Sequence, residues 1–128
     1  MPFIDVIIPR CRTKALKELS LGMTEEFCRI TGFEREILAI HFTQYETISI
    51  AGKFVEKGYV HVHIFIPRIE KGVKTELIAK FSEMVKKEFK CDPVVHISEH
   101  PYDNIGVSGK SLSELIPELG ERKFYYDV

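Results

Sequence analysis

The residues best placed to do chemistry lie at the start of the chain, in "MPFIDVIIPRCR". A proline stands at position 2, and arginines follow at positions 10 and 12. Removal of the preceding methionine would leave Pro2 with a free secondary α-amine. An α-amino group ordinarily titrates near pH ~8. Burial in an apolar pocket and nearby cations both disfavour its charged form. Its pKa then falls toward neutral pH, where a general base works best. The pyrrolidine ring is rigid, so the lone pair can be aimed. An arginine can bind a carboxylate at two points and steady a developing enolate. Pro2, Arg10 and Arg12 therefore make chemical sense together, as a base beside cations that can bind a carboxylate. The plainer reading makes Pro2 a residue tolerated at the first position of a strand. Arg10 and Arg12 are then solvated charges at the strand's far end.

The remaining reactive side chains carry weaker signals. His61 and His63 have the His-x-His spacing of a metal site on a strand, but no third ligand is evident and tetrahedral sites need three or four. No metal and no cofactor are expected. His41 and His96 read as core or interface histidines. Tyr102 and Asn104 precede a glycine-bearing turn, where they could line a pocket or simply shape the turn. "SGKS" (108–111) lacks the preceding glycine of a phosphate loop. The three cysteines, Cys11, Cys28 and Cys91, are odd in number and lack CxxC spacing. They imply a reducing compartment and no disulfide framework.

The elements that must position these residues repeat along the chain. "IIPR" (7–10) returns as "FIPR" (65–68), and "ISIAGK" (48–53) as "IGVSGK" (105–110). Residues 2–8 and 59–66 read as strands, rich in β-branched and aromatic types. After each comes Pro-Arg, then an amphipathic helical stripe. The first stripe is Ala15, Leu19, Met23, Phe27 and Ile30; the second is Val73, Leu77, Phe81, Val85 and Phe89. Gly32 is placed to end the first helix, and "Cys-Asp-Pro" (91–93) to break the second. Second strands follow at 37–42 and 94–98. Each half is thus β-α-β, with its two strands parallel through a right-handed crossover.

The fold class is α+β: a four-stranded mixed sheet with two helices on one face. The chain reads as a single domain over residues 1–128. Repeat one spans 2–54, repeat two spans 59–112, and 113–128 form a C-terminal tail. The tail ends in the aromatic stretch "KFYYDV" and could pack on the core or reach another copy. Alternation along the strands puts Pro2, Ile4, Val6 and Ile8 on one face, with Val60, Val62, Ile64 and Ile66. Phe3, Asp5, Ile7, His61, His63 and Phe65 face the other way, which suits a wet surface or a subunit interface.

Composition excludes several functions. The 128 residues carry a net charge of −1 with no basic stripe, so no nucleic-acid partner is expected. No apolar run approaches a membrane span, and the start of the chain lacks the pattern of a secretory signal. The expected location is cytoplasmic.

The N-terminal proline with an arginine ten residues on, "GFEREILAIHF" and "VVHISEHPYDNIGVSGKSL", in this order and on a repeated β-α-β frame, resemble the tautomerase superfamily. That group includes 4-oxalocrotonate tautomerase (4-OT), the haloacrylate dehalogenases and macrophage migration inhibitory factor. The resemblance covers roughly residues 2–110. It implies a fused two-unit member that assembles as a homotrimer and uses no cofactor. Pro2 would act as general base, and Arg12, Arg10 and Arg68, the repeat partner of Arg10, would bind substrate. The chain departs from the pattern at Ile37 and Val94, where short tautomerases hold a second arginine, and at Ile48 and Ile105, where they hold an aromatic. A trimeric scaffold or small-ligand binder without catalysis is the alternative. Val60 occupies the repeat position of Pro2 but has no free amine, so each chain can hold one proline site at most.

Overall fold

A computed structural model describes residues 2–115. The chain begins with β1 (Phe3–Pro9), α1 (Thr13–Thr31) and β2 (Ala39–Tyr45), followed by a hairpin of β3 (Ile48–Ile50) and β4 (Lys53–Val55). The order then repeats: β5 (His61–Pro67), α2 (Lys71–Phe89), β6 (Val94–His100), and a hairpin of β7 (Gly106–Val107) and β8 (Lys110–Ser111). A single turn, α3 (Leu112–Leu115), closes the described chain. The aromatic tail "KFYYDV" lies outside the described residues.

The main sheet runs β2-β1-β5-β6. β1 pairs parallel with β2, and β5 with β6; β1 and β5 pair antiparallel at the centre. The central register sets Asp5 opposite His63, flanked by Ile4 opposite Ile64 and Val6 opposite Val62. Asp5 and His63 are themselves repeat equivalents, so the two β-α-β units are related by a two-fold through this pair.

The helices form where the stripes predict and cover one face of the sheet. Leu19, Met23 and Phe27 of α1 and Leu77, Phe81 and Val85 of α2 are buried against Ile4, Val6, Ile8, Val62, Ile64 and Ile66. Phe27 and Phe81 are wholly buried, and each contributes about 3 kcal/mol or more through burial and packing. Gly22 lets the helices approach closely, because a Cβ there would sit 2.8 Å from Met84 Cε.

α1 ends where expected, and other element ends differ by a few residues for local reasons. Gly32 caps α1 in the left-handed region, φ 78°, its N–H donating to the Cys28 carbonyl. α2 stops before the Cys-Asp-Pro break: Lys90 takes the same left-handed conformation, φ 58°, and its N–H donates to the Lys86 carbonyl. β2 begins at Ala39 rather than Ile37 because residues 35–37 form a 3-10 turn, with Ile37 N–H donating to Glu34 and Leu38 N–H to Arg35.

Among the described residues, no helix lies over the other face of the sheet. Strand alternation and register place His41, His61, His63, His96 and His100 on this face, which is every histidine in the chain.

Candidate functional site

The antiparallel pairing of β1 and β5 decides what Pro2 meets. Phe3 lies opposite Phe65, so the register carries Pro2 level with Ile66 at the end of β5. The parallel pairing of β5 with β6 brings His100 opposite Pro67 at the same end. After Pro101 the chain turns tightly over residues 102–104, with Asn104 N–H donating to the Pro101 carbonyl at 2.9 Å. Leu112 N–H then donates to the Ile105 carbonyl at 2.8 Å, which folds the β7–β8 hairpin back over this end of the sheet.

These segments enclose a cleft of about 320 Å³ lined by Phe3, Phe65, Ile66, His100, Asn104, Ile105 and Gly106. Its floor is aromatic. Phe3 stacks on Phe65 at 4.2 Å, and the His100 ring lies nearly parallel to Phe65 at 6.2 Å. Pro2 is buried at the head of the strand that supplies Phe3. The volume is at the small end of ligand sites and fits a compact acid.

Arg68 follows Pro67 at this end and is partly buried. The connection that carries it is fixed by Glu99 of β6. One Glu99 oxygen accepts from Ile69 N–H at 3.0 Å, and the other from Lys74 Nζ at 2.8 Å. Both side chains are largely buried, 26% exposed for Lys74 and 18% for Glu99, so water screens this ion pair little. In the first unit the uncharged Gln44 does the same task, its Oε1 accepting from Cys11 N–H at 2.9 Å.

Arg10 and Arg12 stand at the opposite end of β1. Eight residues of extended chain separate Arg10 from Pro2, roughly 26 Å. Arg10 pairs with Glu46 at 2.7 Å on an open surface, with side chains 75% and 77% exposed. Such a pair holds Arg10 only weakly. Arg12 precedes α1 and lines a separate cleft with Cys11, Lys14, Ala15, Glu18 and Glu88. The register therefore sets Pro2, Arg68 and His100 at one end of the sheet, with Asn104 in the turn beside it, and Arg10 and Arg12 at the other end.

His100 is the site residue that sequence reasoning missed. The signal was present in the repeat, which matches β6 to β2 and so His100 to Tyr45, just as it matches Pro2 to Val60. Tyr45 is tied to the residue before Val60: its hydroxyl donates to the Tyr59 carbonyl at 2.6 Å and accepts from Tyr59 N–H at 3.3 Å. By the two-fold, His100 stands to Pro2 as Tyr45 stands to Val60. Asn104 lines the cleft and also belongs to the turn, so its two readings hold together.

Other chemistry is less well supported. Burial raises the pKa of Cys11, Cys28 and Cys91, with Glu88 adding to the effect at Cys11 and Asp92 at Cys91. Neutral thiols of this kind are poor nucleophiles. Among the described residues no group of three or more His, Cys, Asp or Glu is arranged to hold a metal ion. Among them, too, no helix is long and apolar enough to cross a membrane.

No family model matches the chain, and no curated protein matches it either. Solved structures do. A wild-type fused 4-OT, solved as an asymmetric trimer, superposes with a TM-score of 0.80 at 19% identity, over 89% of this chain and 98% of that one. Pt0534, solved after inactivation by 2-oxo-3-pentynoate, gives 0.80 at 15% identity over 89% and 98%. A member of the cis-3-chloroacrylic acid dehalogenase family gives 0.74 at 17% identity over 94% and 99%. The chain shares the fold of these structures, two β-α-β units on one four-stranded mixed sheet.

Proposed function

We propose that this chain is a cofactor-free tautomerase of a small carboxylate-bearing keto or enol acid, working as a homotrimer with Pro2 as its base. One observation carries the reading: Pro2 is buried at the head of β1, and the next residue, Phe3, lines a small, mainly apolar cleft that holds His100 and Asn104. Desolvation there disfavours a charged amine and leaves the proline nitrogen basic but neutral near pH ~7. That nitrogen takes the proton from the enol oxygen. The carbonyl re-forms, and the same proton passes from the ammonium to carbon. Nothing is oxidised, so no cofactor is needed. Arg68 and the cleft's polar groups hold the developing enolate oxygen. Arg12 and Arg10, unable to reach Pro2 within their own chain, hold the carboxylate from a neighbouring copy. The trimeric fused 4-OT fold supports that arrangement.

The test is ketonisation of a panel of 2-enol acids by the untagged protein and by Pro2→Ala. Loss of a general base lowers kcat/KM by about 10²–10⁴. Equal rates for the two proteins, with assembly unchanged, would remove Pro2 from the chemistry. The non-catalytic reading draws on a separate observation. Ile37, in the turn before β2, and Val94, at the start of β6, bring no cation, so binding of a carboxylate rests on arginines from loops and from other copies.

A further inference from the structure

The open face of the sheet carries a feature that the proposed chemistry does not use. One register row crosses all four strands as His41, Asp5, His63 and His96. The two-fold maps the row onto itself, His41 onto His96 and Asp5 onto His63. His41 Nδ1 lies 3.0 Å from Asp5 Oδ1. His61 flanks the row, its Nε2 only 2.7 Å from His96 Nδ1, so one imidazole must donate and the other accept. His63 Nε2 lies 2.6 Å from Ser98 Oγ, and its ring stacks on Phe65 at 3.9 Å.

We infer that this face is the contact between copies of the chain and that protonation of its histidines releases it. The inference rests on the homotrimeric reading above and adds its regulation. A second copy is the fitting occupant because of what the face presents. A neutral imidazole offers one donor and one acceptor, so imidazoles can meet imidazoles with every group satisfied. Asp5 is matched by His41, so the face needs no partner of opposite charge. Its apolar members, Phe3, Ile7, Phe65 and the 43% exposed Val94, give it area to bury.

Acid reverses this fit. The groups facing one another are Asp5 on β1, His41 on β2, His61 and His63 on β5, and His96, Ser98 and His100 on β6; Tyr59 Oη lies 3.5 Å from His61 Nδ1. One carboxylate cannot balance five imidazolium groups. Already in a single chain, burial and then His96 and His63 lower the pKa of His61; burial, His96 and His100 lower that of His63 against the opposing pull of Asp5. Covering the face strengthens the desolvation. A histidine whose pKa is lowered in the assembly binds fewer protons there than in the free chain. Assembly is therefore favoured above the free chain's values, which for His61 and His63 already lie below the ordinary ~6.5, and is lost as pH falls through them toward the still lower values of the assembly.

The experiment is light scattering on size-exclusion chromatography of the full chain, at about pH 8 and about pH 5, with far-UV circular dichroism on the same samples. The expected result is a threefold fall in mass between the two pH values with the dichroism unchanged. His61→Gln/His63→Gln/His96→Gln should keep its mass at both. His96→Gln alone, a milder change, should shift the midpoint to lower pH if the triple variant fails to fold. A wild-type assembly that stays whole at the lower pH would overturn the switch and leave the trimer standing. A single-chain mass at both pH values would overturn the trimer itself. Dissociation accompanied by loss of dichroism would overturn the switch too, because the acid-sensitive element would then be the fold and not the contact.

Discussion

Mixing two inactive variants should restore activity, and by a calculable amount. Pro2 and Arg12 stand at opposite ends of a strand, more than ~20 Å apart by strand rise. If both serve one pocket, they come from different chains. Pro2→Ala removes the base and costs about 10²–10⁴ in rate. Arg12→Ala removes a charge-assisted contact to the substrate carboxylate, worth about 1.5–3 kcal/mol, or roughly ten- to a hundredfold in kcat/KM. When equal amounts of the variants are unfolded and refolded together, chains assort at random around the ring. A pocket is intact when its proline chain carries the Arg12 change and its neighbour carries the Pro2 change. Random assortment makes that about a quarter of all pockets in a cyclic assembly. The assay is enol-acid ketonisation of the mixture, against each variant refolded alone. Recovery to about a quarter of the wild-type rate is the expected outcome. A mixture no better than the average of the two parents would refute the shared pocket, and with it the role of Arg12 at a neighbour's proline.

Three further predictions concern the scaffold. Phe81→Ala empties a fully buried aromatic site and should lower stability by about 3–5 kcal/mol in urea denaturation. Lys90→Gly relieves a left-handed, non-glycine helix end and should stabilise by about 1 kcal/mol, a rise of roughly 3–5 °C in Tm by calorimetry. Glu99→Ala removes the acceptor for Ile69 N–H and the partner of Lys74, and should cost about 1–3 kcal/mol. Glu99→Gln, which copies the Gln44 arrangement of the first unit, should recover most of that loss in the same denaturation series.

Much of the architecture is legible in the sequence because it is written twice. "IIPR" and "FIPR" mark the ends of the central strands, and the middle three residues of each helical stripe after them prove buried. Simple alternation separates Ile4, Val6 and Ile8 from Phe3, Asp5 and Ile7, and so assigns the two faces. What the sequence hides is proximity. Pro2 and Arg12 read as neighbours on spacing alone, yet an extended strand carries them apart. Pro2 and His100 are far apart along the chain, and the antiparallel join at the sheet centre brings them to one end. The histidine row is hidden for a similar reason. Its members lie on four strands, and only the register through Asp5 and His63 aligns them. Gly32 marks the end of α1 in the sequence, but the end of α2 escapes pattern reading, since Lys90 takes a conformation that composition assigns to glycine.

The central claim is that Pro2 presents a reactive secondary amine to the cleft. Peptide mass mapping after treatment with 2-oxo-3-pentynoate tests it most directly. A neutral proline nitrogen adds to the activated alkyne, its proton passing to carbon, so the adduct weighs one full reagent. The account predicts a chain without residue 1 that carries one adduct, on the nitrogen of Pro2. A chain that keeps its methionine in the native host and takes up no reagent at Pro2 would contradict it.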